Sequence, residues 1–73
     1  MENKVLEIIE GLLGIDHKEM LENLGNKDIW DSFTRVEVLF AVEEEFDVSF
    51  EQDELSEINT PASLCHILKS KVG

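Results

Sequence analysis

An uninterrupted run, SFTRVEVLFAVEEEF from Ser32 to Phe46, occupies the middle of the chain, rich in apolar residues and free of glycine and proline. Such a run predicts a helix. At roughly 100° per residue, Val38, Leu39, Val42 and Phe46 share one stripe, the natural core face. Phe33, Val36 and Phe40 form a second stripe on the opposite side, flanked by Glu37, Glu43 and Glu44. One face is enough to anchor a helix in a small bundle, so the second apolar stripe needs another use.

The flanking segments supply what the core face can pack against. In NKVLEIIEGLLGI, the positions Val5, Ile8, Ile9, Leu12, Leu13 and Ile15 recur at three- and four-residue spacing, predicting a first helix that Gly14 ends. From Asp16 to Trp30 the pattern lapses, with room for a turn of helix through Met20, Leu21 and Leu24. After Phe46 an extended connector carries Phe50 to the core, and ELSEI offers a short helix using Leu55 and Ile58. Thr60 and Pro61 read as N-cap and first position of a last helix, with Leu64, Ile67, Leu68 and Val72 inward and Lys69 and Lys71 at its C-terminal end. The expected fold is all-α, a small bundle of three main helices plus one short helix, with residues 1–73 forming one domain.

Composition narrows the setting. At 73 residues the chain has room for one modest core, too little for a large buried active site. Its single cysteine, Cys65, rules out an internal disulfide and reads as a small apolar filler, which suits a reducing, cytoplasmic setting. Glu7 and Glu10 interrupt the N-terminal apolar stretch, so neither a signal peptide nor a membrane span is expected. Against 6 Lys plus Arg stand 17 acids, a net charge of −11. That field repels nucleic acids and anionic membranes and attracts basic protein partners. His17 and His66 read as surface residues, and neither they nor the acids from Glu43 to Glu54 have the spacing of a metal site.

The dipeptide Asp31-Ser32 stands where loop gives way to the central helix. By itself it reads as capping, since both side chains accept hydrogen bonds from first-turn N–H groups. In context it says more. Read from Asp31, DSFTRVEVLFAVEEEF resembles the centre of acyl carrier proteins and the related peptidyl and D-alanyl carriers. The following DVSFEQDELSEINTPASLCHIL is similar to the same family without a gap, as is IIEGLLGI to its first helix.

The resemblance implies that Ser32 is the attachment point for covalent 4′-phosphopantetheine, delivered from coenzyme A by a separate phosphopantetheinyl transferase with Mg²⁺. The chain would then be a carrier, not an enzyme: a monomer holding an acyl or aminoacyl cargo as a thioester for loading and downstream enzymes. The resemblance also assigns Asp31, Phe33, Val36, Glu37, Phe40, Glu43 and Glu44 to a docking face for those enzymes' basic surfaces.

Three departures bear on the cargo. In the first, Leu24-Gly25 lies farther upstream than the family pattern and Ile29-Trp30 occupies the approach to the serine; in the second, Phe33 replaces the usual leucine, a form similar to the D-alanyl carriers; the third is Arg35. Trp30 reads as a loop residue packed on the bundle. Arg35, which projects near the core-facing side one turn into the helix, has to reach water, an acid or the cargo. This favours a short or polar cargo, an amino acid or carboxylated unit, of a specialised pathway. Two other readings stay open: an aminoacyl carrier for cell-surface modification, and an acidic interaction module whose serine is never modified.

Overall fold

The computed structural model describes residues 2–72, which form five helices. Helix α1 (Glu2–Leu13) stops where Gly14 turns to φ +70 and donates its N–H to the Glu10 carbonyl at 2.8 Å. Positive φ is accessible to glycine without a Cβ clash, so the sequence marks this end directly. Helix α2 (His17–Glu22) begins at Asp16, whose Oδ1 accepts from the Glu19 N–H at 2.8 Å. Helix α3 (Ser32–Phe46) ends on Asp47, which takes the left-handed conformation at φ 53 and donates its N–H to the Glu43 carbonyl. Asp tolerates that region better than most residues, so a glycine is not required there. Helix α4 (Gln52–Glu57) starts where the Glu51 N–H is met by Glu54 Oε1 at 2.8 Å, and α5 (Pro61–Val72) opens with the Ser63 N–H on Thr60 Oγ1 at 3.1 Å.

The layout is therefore three main helices with two short ones. Its all-α class agrees with expectation, but α2 adds a second short helix where only a turn was expected. The reason is Met20, which is fully buried and anchors a segment whose other apolar residues, Leu21 and Leu24, are exposed and half-buried.

Helix α1 packs against α3, α2 and α5. The core that results contains Val5, Ile9, Val38, Val42, Leu64 and Leu68, with Phe50 and Ile58 brought in from the connector and the end of α4. The core stripe of α3 is as expected, Phe46 lying at its edge. Three positions depart from the helical projections. Leu12 and Val72, both expected inward, are each 44% exposed, whereas Leu6 is buried. Leu12 and Val72 each sit in the last turn of their helix. Cys65 is buried as a filler, and burial, aided by the Glu2 charge, pushes its thiol pKa up, away from nucleophilic use.

Among the described residues no helix is long and apolar enough to cross a membrane, and no cluster of His, Cys, Asp and Glu could hold a metal ion.

Candidate functional site at the start of α3

The approach to α3 is a loop closed by its own polar side chains. Asn26 donates from Nδ2 to Asn23 Oδ1 at 2.9 Å and accepts on Oδ1 from the Asp28 N–H at 3.0 Å. The Leu24 carbonyl accepts from the Ala62 N–H at 2.9 Å, tying this loop to the start of α5. Trp30 is buried, and its Nε1–H donates to the Asn59 carbonyl at 3.2 Å. It is a packed loop residue, as expected, and it holds the end of the loop against the α4–α5 junction.

Asp31 and Ser32 divide the work that either could have done. Asp31 is the N-cap: extended at φ −88 and ψ 176, it accepts on Oδ1 from the Thr34 N–H at 2.7 Å, while its carbonyl accepts from the Arg35 N–H at 2.9 Å. Hydrogen bonding from Thr34, its backbone N–H foremost, holds the Asp31 carboxyl below the usual range, so it stays ionised. Ser32 is the first helical residue and is exposed. Because the neighbour supplies the cap, the Ser32 hydroxyl has no structural duty there.

The second stripe of α3 stands in solvent: Phe33 is 74% exposed, Phe40 64% and Val36 41%. Val36, the least exposed of the three, lines the cleft toward α4. Of the acids around the stripe, Asp31, Glu37 and Glu44 are exposed. Glu43 is half-buried and accepts on Oε2 from the Phe50 N–H at 2.7 Å, so this carboxylate also fastens the connector to α3.

Among the described residues Arg35 pairs with no acid, and its side chain is half-buried. Its Nη1 donates to the carbonyl of Leu55 at 2.8 Å and of Ile58 at 3.0 Å. Helix ends leave their last carbonyls unpaired, and a guanidinium is well suited to meet two of them at once. No residue pattern signals this pairing, because the acceptors are backbone atoms, which carry no residue signature.

Two surface hollows adjoin the site. One, about 260 Å³, is lined by Lys27, Asp28, Trp30, Asp31, Ser32, Arg35 and Asn59 and is mostly polar. The other, about 250 Å³ and mostly apolar, lies between α3 and α4 and is lined by Arg35, Val36, Leu39, Phe40, Glu43, Phe50 and Leu55. Neither histidine lines either hollow.

This assembly is that of a small carrier: an acid-capped helix start, an exposed hydroxyl and a bare apolar stripe ringed by carboxylates. Residues 3–68 match the family model described as phosphopantetheine attachment site, and the chain belongs to that family. It is therefore a carrier bearing covalently attached 4′-phosphopantetheine, and carriers of this kind work with a phosphopantetheinyl transferase and partner enzymes. The residues present fit such a group: attachment needs an accessible hydroxyl, and the helix start offers one beside first-turn N–H groups that favour a nearby phosphodiester.

Proposed function

We propose that Ser32 is the attachment residue and that the chain, as a single carrier domain, shuttles a short or polar acyl or aminoacyl cargo between enzymes of a specialised biosynthetic pathway in the cytoplasm. The carrying observation is the division of labour at the start of α3, where Asp31 caps the helix and leaves the exposed Ser32 hydroxyl free. The chain has five serines. Ser56 donates to the Asp53 carbonyl, Ser63 is bound into the start of α5, Ser49 lies in the connector and Ser70 in the last turns of α5. Only Ser32 combines exposure with the first position of a long helix.

When bound, the group supplies a terminal thiol on a long arm, to which cargo is held as a thioester. The chain's own part is to present and to be gripped. With no histidine in the hollow beside Ser32, and the Asp31 carboxylate engaged by the Thr34 N–H, activation of the serine hydroxyl falls to the transferase and Mg²⁺. The ionised Asp31 carboxylate repels a neighbouring phosphodiester, while the helix start and Lys27, in the same hollow, attract it. These opposed charges keep the arm in water, where partner enzymes can take it.

Phe33, Val36 and Phe40 fill shallow pockets on those enzymes, and Asp31, Glu37, Glu43 and Glu44 meet their Lys and Arg side chains. Rim charges act chiefly on association rate, which suits a carrier that must let go quickly. A monomer satisfies all of this. An aminoacyl cargo such as D-alanyl is the reading that Phe33 after Asp31-Ser32 favours.

Incubation with coenzyme A, Mg²⁺ and a broad-specificity transferase, followed by intact mass measurement, tests the attachment. Wild type is expected to gain one arm and Ser32→Ala none. A folded wild-type chain that gains no mass would leave an unmodified acidic interaction module as the better reading.

A further inference from the structure

Arg35 is the one residue that lines both hollows at the site. On one side of it lie Ser32 and polar groups; on the other lies the apolar cleft between α3 and α4. The same guanidinium holds the cleft's far wall, because Leu55, which lines the cleft, offers its carbonyl to Arg35 Nη1, and the Ile58 carbonyl is held with it. Two further polar contacts fix this wall: Glu43 Oε2 to the Phe50 N–H at 2.7 Å and Glu54 Oε1 to Lys71 Nζ at 2.8 Å. Helix α4 has no fully buried residue and packs on the core only through half-buried Leu55 and its C-cap Ile58, so these bonds add to a thinner apolar attachment than the main helices have.

We propose that Arg35 is a specificity-determining residue: a charged partition that keeps an alkyl chain carried near Ser32 out of the α3–α4 cleft and thereby confines the carrier to short or polar cargo. It rests on Ser32 being the attachment residue. For an alkyl chain to pass, the guanidinium must give up two charge-assisted hydrogen bonds, which takes its partner from the Ile58 carbonyl and leaves the Leu55 carbonyl with the 3.4 Å bond from the Ile58 N–H. The entering methylenes would then lie against a charged group in place of water. An apolar side chain at this position removes the charge, releases the far wall and joins the two hollows into one path. The guanidinium keeps three unused N–H donors on Nε and Nη2, which suit a carboxylate or other anion at the end of a short cargo.

Wild type and Arg35→Leu are loaded by a broad-specificity transferase from coenzyme A and from decanoyl-coenzyme A, with intact mass confirming one arm per chain and none on Ser32→Ala. The thermal midpoint of each decanoyl form is then compared with its own thiol form. Wild type is expected to differ by no more than about 1 °C, and decanoyl Arg35→Leu to rise by about 5 °C or more, as a ligand buried only in the folded state requires. An equal rise in wild type, or none in a folded, loaded Arg35→Leu, overturns the partition. Should Arg35→Leu not fold, amide hydrogen exchange of wild-type α4 decides: protection equal in the decanoyl and thiol forms supports the partition, and added protection in the decanoyl form overturns it. A missing mass gain at Ser32 is a separate failure, visible before any melting, and removes the attachment reading together with this inference.

Discussion

Helices α1 and α4 are held to the bundle by opposite means. Helix α1 buries Val5, Leu6 and Ile9 against its neighbours, an attachment that is non-directional and grows with the apolar area removed from water. Helix α4 has no fully buried residue; beyond half-buried Leu55 and the C-cap Ile58 it is held through the Leu55 and Ile58 carbonyls on Arg35 and the Glu54 pair with Lys71. An element fixed by a few directional bonds can be released without unfolding the rest, whereas one fixed by the shared core cannot. The carrier thus keeps a stiff frame for α3 and a separately adjustable wall beside it.

The largest effect should come from the frame. Ile9→Ala is expected to cost about 2–5 kcal/mol, as buried isoleucine truncations do. That approaches the whole stability of a domain this small, about 3–5 kcal/mol, so the urea unfolding midpoint should collapse. Arg35→Leu should cost less, about 1–2 kcal/mol for the lost carbonyl partners, and unevenly. Amide exchange should quicken in α4 while α1 keeps its protection relative to global unfolding. Equal loosening of both helices would erase the contrast drawn here.

Acid should separate the two regions further. Hydrogen bonding from the Glu51 N–H, and then the pairing with Lys71, holds the Glu54 carboxyl below its usual range, and Asp31 is lowered by its cap bonds. A carboxyl depressed in the folded state contributes stability that is fully present above its unfolded value, about pH 4, and is lost as pH falls through the folded value. Between pH 7 and pH 3, after correction for intrinsic exchange rates, amides of α4 and of the first turn of α3 should lose protection before those of α1. Asp31→Asn should remove the acid response at the start of α3 alone.

The smallest effect on stability belongs to the outer stripe. Phe40→Ser should change stability by no more than about 0.5 kcal/mol, because that side chain is 64% exposed, yet it should slow modification by the transferase severalfold. Glu37→Lys should do the same through association rate, with an effect that shrinks as salt is added. Normal modification kinetics in both variants would remove the docking face while leaving the fold and Ser32 untouched.

Much of this could be read in advance because α3 is a long, unbroken run whose two stripes follow from a fixed 3.6-residue period. The Asp31-Ser32 pair, the Gly14 stop and the Thr60-Pro61 start are equally local, each set by the chemistry of adjacent residues. The same projection failed at Leu12 and Val72, since periodicity assigns a face and not the length of the neighbour that covers it. It offered α2 as no more than a turn of helix, because a six-residue helix fixed by one buried methionine has too few apolar positions to show a period.

The amino-acid order by itself determined which side of α3 enters the core, which stripe is left outside and where the helix begins, all consequences of steps of four residues or fewer. Only the folded chain decided where Arg35 donates, how Trp30 meets Asn59 and that Glu43 fastens Phe50, contacts that span 20 and 23, 29 and 7 residues. The acceptors on Leu55, Ile58 and Asn59 are backbone carbonyls, present at every position alike. Which of them comes within reach depends on how the whole bundle closes around its core.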